Sequence, residues 1–207
     1  SVNLAKKIGE DIGYIHLTGF TTGTADIFKT ELKRLKQSGI KGLIIDLRSN
    51  PGGILSEAVD IVGCFVEKGT KVVYTKSKVK EWDETFSTTK DPVDLEIPIV
   101  VMVNGESASA AEIVSGALQD LDRAVILGER TYGKGLVQTS RSLPFGGSLK
   151  LTISKYHIPS GRCIQAIDYA RTREEGKKFV IPDSLTHEFK TKNGRIVKDG
   201  CGVMPDT

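Results

Sequence analysis

The stretch IPIVVMVNGESASAAEIVSGAL (97–118) passes from an apolar run into a polar loop and then into a helical pattern. The run at 97–103 is apolar throughout and of strand length, which is typical of a strand buried on both faces of an α/β sheet. Ser109 and Glu112 form the S-x-x-E pattern of a capping box, which predicts a helix over 109–121. Two serines, Ser107 and Ser109, lie at this junction, and the capping box alone gives neither a role in chemistry.

The same order of strand, loop and helix recurs along the chain. Strands are predicted at 12–17, 41–48, 71–78, 97–104 and 124–128, and helices at 24–37, 55–66 and 109–121. KGLIIDLR (41–48) is a second continuously apolar strand, followed by the loop SNPGG. Alternating strands and helices imply crossover connections, so we expect an α/β fold with a mainly parallel sheet and helices on its faces.

The last third of the chain has a different character. LVQTSRSL (136–143), a turn at PFGG, and SLKLTISKYHI (148–158) predict a C-terminal β-hairpin region, and 80–91 predicts an exposed hairpin or loop. The segment from 166 to 200 is charged and poorly periodic, which predicts a surface insertion. The expected organisation is a core over 1–165, an insertion over 166–200 and a return segment of the core over 201–207.

Composition excludes several classes of function. The 207 residues are 39% hydrophobic and 27% charged, as in ordinary globular proteins. The net charge of +3 comes from scattered basic residues, which argues against a nucleic-acid partner. The apolar runs are too short to span a membrane. Cys64, Cys163 and Cys201 form no C-x-x-C pair, so we expect no zinc site.

Three loops follow buried strands, and such loops meet at the carboxyl edge of a parallel sheet. In the first loop, Gly52 and Gly53 permit a tight turn that aims a backbone N–H into a cleft. In the second, Ser109 precedes a helix, where the amide of Ala110 and the helix dipole favour negative charge. The two loops together could supply a nucleophile and an oxyanion hole.

The third loop carries Lys134 between Gly133 and Gly135, with Gln138 four residues later. A lysine carried into the interior at this position would have a lowered pKa because burial disfavours its charge. A neutral amine could take the proton of Ser109 and form a serine–lysine dyad. Gln138 could then hold the amine.

Histidine is the competing general base. His16 lies in a strand and His187 in the predicted insertion, whereas His157 lies in KYHIPSGR near the proposed site. Histidines in strands are usually packed or solvated, so they are weaker candidates, and His157 is a possible neighbour of the substrate. Asp46, at the end of IIDLR, is expected to anchor its loop.

ESASAAEIVSGALQDLDRAVILGERTYGKGLVQ (106–138) resembles the carboxyl-terminal processing, or tail-specific, proteases, which are serine peptidases with a Ser-Lys-Gln centre. GYIHLTGF, GLIIDLRSNPGG, YHIPSGRCIQ and GVMPD are also similar to marker segments of that family, and the serine-to-lysine spacing, 134 − 109 = 25, is the same. The resemblance implies that Ser109 rather than Ser107 is the nucleophile, that Lys134 is the general base and that Gln138 is its orienter.

The resemblance further implies a crotonase/ClpP-like core, with an oxyanion hole formed by the amide of Ala110 and that of either Gly52 or Gly53. It implies an endopeptidase that cleaves unfolded or tail-exposed proteins near their C-termini through an acyl-enzyme, without cofactor or metal. It also implies a location outside the cytoplasm, in the bacterial periplasm or tethered to a membrane. Two competing functions are a catalytically silent peptide-binding scaffold of the same fold, and a crotonase-type enzyme acting on thioesters.

Three features depart from the family pattern. Ala111 replaces a third serine of the loop, no PDZ-like segment is visible, and the segment 166–200 is longer than the usual connection. Cys163 and Cys201 bracket that segment, so a disulfide between them is possible in an oxidising compartment.

Overall fold

Two large sheets of different kinds and one small two-stranded sheet build the protein in the computed structural model, which describes residues 1–176 and 179–207. The elements in chain order are β1 (Val2–Ile8), β2 (Ile12–Leu17), α1 (Thr24–Gln37), β3 (Gly42–Asp46), α2 (Leu55–Val62), β4 (Lys71–Ser77), β5 (Thr85–Ser87), β6 (Ile99–Val103), α3 (Ala110–Asp120), β7 (Val125–Gly128), β8 (Leu136–Ser142), β9 (Ser148–His157), α4 (Tyr169–Glu175), β10 (Glu188–Lys190) and β11 (Ile196–Lys198).

The first sheet has five strands in the order β1-β2-β3-β6-β7. Strands β2, β3, β6 and β7 pair in parallel, and only β1 is antiparallel to its neighbour, so the predicted mainly parallel sheet is confirmed. Apolar residues on these strands, such as Ile15, Ile45 and Val101, are fully buried. The parallel arrangement brings the carboxyl ends of β3, β6 and β7 to one edge, where their three loops begin.

Helix α3 lies at the centre of the protein. It contacts β7 of the parallel sheet, β4 of the second sheet and the neighbouring helix α2. All of its residues are buried, from Ala110 to Asp120. The start of this helix is therefore held from several sides, which fixes the position of the residue that precedes it.

The second sheet is antiparallel, in the order β5-β4-β9-β8. Strands β8 and β9 form the predicted hairpin, and β5, which pairs with β4, places part of 80–91 in a hairpin rather than a loop. A bulge between Val137 and Gln138 interrupts the pairing of β8 with β9. Strand β8 pairs only with β9 in the described chain, so it is an edge strand.

Two elements of the core differ from the sequence prediction by more than two residues. Strand β1 was not predicted, because most of its side chains are exposed and the sequence shows no apolar alternation there. Helix α2 ends at Val62 rather than at residue 66, because Gly63 caps it and the next residues form turns. No helix within the described ranges is long and apolar enough to cross a membrane.

The segment from 166 to 200 leaves and rejoins the core at one place. The amides of Gly200 and Gly202 donate to the carbonyls of Cys163 and Ile164, both at 2.9 Å. All three cysteines are nevertheless free thiols, so a disulfide between Cys163 and Cys201 is not formed in this structure. The segment contributes α4 and the small hairpin of β10 and β11. Its description as an insertion stays a prediction.

Candidate active site

Ser109 occupies a strained turn between β6 and α3. Its backbone angles are φ 56° and ψ −116°, in a region that residues other than glycine rarely adopt. Such a conformation costs on the order of 1–3 kcal/mol and persists only where the surroundings enforce it. The turn places Ser109 at the N-cap of α3, where the helix dipole stabilises negative charge. The capping box predicted with Glu112 is present.

The two serines of this loop have different surroundings. Ser107 is fully buried, and its hydroxyl donates to the carbonyl of Leu47 at 2.8 Å and accepts from the amide of Asn104 at 3.0 Å. Ser109 is half-buried and lines a cavity of about 320 Å³. Ser107 therefore ties the loop to β3, whereas Ser109 is placed to meet a ligand.

The cavity brings together residues from all three predicted loops and the hairpin. Gly53 comes from the first loop, Ser109 and Ala110 from the second, Lys134 from the third, and Gln138 from β8. The bulge in β8 turns the consecutive residues Leu136, Val137 and Gln138 toward this cavity. Of the six residues predicted for the Ser-Lys-Gln centre and the oxyanion hole, only Gly52 does not line it.

The two glycines of the first loop differ in their hydrogen bonds. The amide of Gly52 donates to Oδ1 of Asn50 at 2.9 Å, so it is already used. A Cβ on Gly52 would lie 2.7 Å from Cβ of Ser109, which shows how closely the loop packs behind the serine. Gly53 is exposed to the cavity. Within the described chain, no group accepts a hydrogen bond from the amides of Gly53 and Ala110.

Lys134 is exposed, so the protein alone does not carry its side chain into the interior. Its two flanking glycines make the inward contacts instead. A Cβ on Gly133 would lie 2.3 Å from Cβ of Ala166, and one on Gly135 would lie 2.8 Å from the amide of Gln165. With both glycines packed against 165–166, the side chain between them projects the other way, into the open cavity.

Gln138 is also exposed, and its side-chain amide donates to Oγ1 of Thr152 on β9 at 3.5 Å. The predicted contact between Gln138 and the Lys134 amine is not formed in this structure. Both side chains line the same cavity, so rotation of either could bring them together.

Glu112 links the serine loop to the lysine loop, a role that the capping pattern does not reveal. Its carboxylate is fully buried and accepts hydrogen bonds from the amides of Ser109 at 2.8 Å and Lys134 at 2.9 Å. It also accepts from the amide of Gly133 at 2.7 Å and from the hydroxyl of Thr131 at 2.6 Å. Burial raises the pKa of Glu112, and these four donors oppose the rise. The lysine loop is about twenty residues away in the chain, so no local pattern signals the link.

The three histidines, all within the described ranges, do not line the serine cavity. His157 stacks on Tyr74 with 5.1 Å between ring centroids, and its Nδ1 donates to the carbonyl of Gly161 at 2.9 Å. Burial lowers the pKa of His157. His16 lies 3.4 Å from the Asn3 amide and His187 lies 3.3 Å from Asp199, so the structure gives no support to a serine–histidine pair.

Asp46 anchors its loop, as predicted. It accepts hydrogen bonds from the hydroxyl of Tyr14 at 2.6 Å and from the Arg48 guanidinium at 2.7 Å. Burial opposes ionisation, but these partners lower the pKa of Asp46 below its usual value. Asp46 does not line the serine cavity.

Known proteins are similar to this chain over the part that contains the cavity residues. The profile of peptidase family S41 matches residues 11–172, which include the three loops around the serine cavity and the hairpin of β8 and β9. This chain belongs to peptidase family S41. The carboxy-terminal-processing protease of Bartonella bacilliformis is 40% identical over 165 residues, which cover 78% of this chain and 38% of that protein. The carboxyl-terminal-processing protease of a Picosynechococcus species is 38% identical over 156 residues, covering 75% and 37%.

A solved S41 structure has the same fold. The photosystem II D1 C-terminal processing protease superposes with a TM-score of 0.70 and 28% sequence identity, covering 95% of this chain and 41% of that one. The predicted fold class and membership of the carboxyl-terminal processing protease family are confirmed. The chain spans about two-fifths of the length of these relatives.

Proposed function

We propose that this S41 chain is a serine endopeptidase that cleaves unfolded or tail-exposed proteins near their C-termini. The observation that carries the proposal is one cavity lined by a strained serine at a helix N-terminus, a lysine, and two backbone amides without acceptors in the described chain. The names of the relatives, carboxyl-terminal processing proteases, support the substrate class.

In this mechanism the neutral amine of Lys134 takes the proton of the Ser109 hydroxyl as Oγ attacks the scissile carbonyl carbon. The amides of Ala110 and Gly53 stabilise the oxyanion; Gly53 is chosen over Gly52 because the Gly52 amide is bonded to Asn50. Protonated Lys134 then gives its proton to the leaving amine. Water hydrolyses the acyl-enzyme by the same steps, and Gln138 orients the lysine amine.

Because Lys134 is exposed, this mechanism needs the bound substrate to shield the lysine amine from water. A polypeptide lying in the cavity would exclude water from the amine and favour its neutral form. Since the base works only when neutral, the rate should rise with pH. A flat profile from mildly acidic to alkaline pH, with chemistry rate-limiting, would contradict Lys134 as the base.

The first experiment is mass spectrometry of an unstructured protein with an apolar C-terminus, incubated with the native chain, with Ser109→Ala and with Ser107→Ala. We expect fragments from the native chain and from Ser107→Ala, which loses the hydrogen bonds of this hydroxyl to Leu47 and Asn104 but keeps Ser109. Ser109→Ala should give none. Cleavage by Ser109→Ala would refute the proposal.

A catalytically silent peptide-binding scaffold is the second candidate function. The exposed positions of Lys134 and Gln138 favour it, because the protein alone does not fix either side chain for proton transfer. In that case the native chain and Ser109→Ala would bind the unstructured protein equally, without fragments.

We also propose, from the family resemblance, that the protein acts outside the cytoplasm, in the bacterial periplasm or tethered to a membrane. Fractionation of cells that produce the full-length protein tests this, and recovery in the cytoplasmic fraction would refute it.

A further inference from the structure

Tyr156 is a buried tyrosine beneath the candidate catalytic pair. It lies on β9, opposite Thr75 of β4, and its amide donates to the carbonyl of Gly135 at 3.0 Å. Only 3% of the residue is exposed, yet it lines the Ser109 cavity. A buried phenol needs a partner for its hydroxyl, and the choice of partner indicates what the hydroxyl holds in place.

The Tyr156 hydroxyl has partners on both sides of the proposed dyad. It donates to the backbone carbonyl of Lys134, and the Ser109 side chain lies within hydrogen-bonding reach of the same oxygen. Because the phenol proton goes to the Lys134 carbonyl, the phenol oxygen is left to accept from the Ser109 hydroxyl. A hydrogen bond from the Ser109 hydroxyl to this oxygen would complete a chain from Ser109 through Tyr156 to the backbone of Lys134.

We propose that Tyr156 is a positioning residue for catalysis, whose hydroxyl orients the Ser109 hydroxyl and fixes the backbone of Lys134 at the distance that proton transfer requires. This inference rests on the proposed function. Together with its amide bond to Gly135, Tyr156 holds two consecutive carbonyls of the lysine loop.

The surroundings keep the phenol in the form that this role needs. Burial raises the pKa of Tyr156 well above its usual value, and the nearby Glu112 carboxylate adds to the rise. The hydroxyl therefore stays protonated over the working range of a serine protease and does not compete with Lys134 as a base.

Tyr156→Phe tests the inference because it removes the hydroxyl and keeps the ring. Loss of one hydrogen bond in the pair should lower kcat about tenfold and change KM by less than about twofold. The reaction of Ser109 with a fluorophosphonate probe should slow by the same factor. Tyr74→Phe is the matched control, since Tyr74 stacks on His157 outside the cavity, and it should leave both rates unchanged.

Three outcomes would overturn the inference: an unchanged kcat in Tyr156→Phe, a loss confined to KM, or an equal loss in Tyr74→Phe. If Tyr156→Phe does not fold, 3-fluorotyrosine at position 156 replaces it, because this residue keeps the packing and changes the hydrogen-bond strength of the hydroxyl. Its kcat and labelling rate should change while Tm stays constant; unchanged rates overturn the inference.

The probe separates this inference from the proposed function. If the native chain cleaves no protein but Ser109 is labelled, the endopeptidase proposal fails and the labelling rate of Tyr156→Phe still decides the role of Tyr156. If the native chain cleaves and Tyr156→Phe cleaves equally fast, only the inference about Tyr156 fails. A native Ser109 that neither cleaves nor labels refutes both.

Discussion

The serine side and the lysine side of the site are built differently. Ser109 follows a strand of the parallel sheet, precedes a fully buried helix and has Gly52 packed against its Cβ. Lys134 lies just before β8, the edge strand of the antiparallel sheet, and Gln138 lies on that strand. Both side chains are exposed. The proposed nucleophile and the amides around it are therefore in position before substrate arrives. The proposed base and its proposed orienter have side chains that the protein alone does not fix.

Glu112 connects the two sides through backbone atoms. It bonds the amides of Ser109 and Lys134 but leaves the Lys134 amine free to move. The backbone of the lysine loop is thus fixed, whereas the side chain of Lys134 can change its conformation. This contrast predicts that changes on the serine side affect both activity and stability, and that changes on the lysine side affect activity alone.

Glu112→Gln should have the largest effect, because the amide NH₂ would face donors that now bond a carboxylate. We expect kcat to fall about 100-fold and the free energy of unfolding to fall by about 2–4 kcal/mol, as for a buried charged group that loses hydrogen bonds. Steady-state kinetics measures kcat, and urea unfolding measures the free energy of unfolding. Glu106→Gln, at an exposed position in the same loop, is the control. An unchanged kcat in a folded Glu112→Gln would contradict the link between the loops.

Gly52→Ala should have the next largest effect. Its Cβ would fall 2.6 Å from the carbonyl oxygen of Ala108 and 2.7 Å from Cβ of Ser109, so the serine turn must shift. We expect kcat to fall at least about tenfold, with about 1–3 kcal/mol lost in stability. Gly39→Ala is a matched control, because Gly39 also has a positive φ, of 81°, but open space around its Cβ. It should lose stability only. Equal kcat values for the two variants would show that Gly52 serves the backbone conformation of its own turn and does not control the position of Ser109.

Gln138→Ala tests the lysine side. Removing the proposed orienter should lower kcat about tenfold, the size expected from one lost hydrogen bond. Stability should change by less than about 0.5 kcal/mol because the side chain is exposed. Ser140→Ala, two residues further along β8, should change neither quantity. A loss of stability comparable to that of Gly52→Ala would mean that the two sides are not built differently.

The framework of the fold was predictable from sequence because burial leaves a clear pattern. The apolar runs at 41–48 and 97–104 became β3 and β6, and the loops after them converge as parallel strands require. Strand β1 escaped prediction because its exposed side chains carry no alternation. The bond that occupies the Gly52 amide had a usable signal, since Asn50 two residues before Gly52 is typical of a side-chain turn that bonds that amide.

The lysine side was harder to predict because its contacts join distant parts of the chain. The glycines around Lys134 suggest burial of its side chain, whereas they mark the packing of the backbone against 165–166. Tyr156 and the second role of Glu112 depend on contacts 22 residues apart in sequence, which no local pattern encodes.

Asp94→Asn should have the smallest effect on activity and a distinct effect on stability. Asp94 precedes β6, at the amino end of the parallel strands and opposite the site, and it forms an ion pair with Lys36 at 2.5 Å. Burial opposes its ionisation, but Lys36 and the amides of Ile97 and Glu96 lower its pKa to about 2.

A lowered pKa in an acid stabilises the folded state at pH values above the unfolded pKa, and the contribution is lost as pH falls through the folded pKa. At pH 7, Asp94→Asn should therefore lose about 1–2 kcal/mol, a range that allows for screening of the ion pair by solvent. The difference from the native chain should shrink between about pH 4 and about pH 2, and kcat at pH 7 should not change. Asp91→Asn, at an exposed position nearby, should have no effect on either quantity. A fall in kcat in Asp94→Asn would mean that the amino end of the parallel sheet also controls the serine turn. The serine side of the site would then include the whole parallel sheet and not only its carboxyl edge.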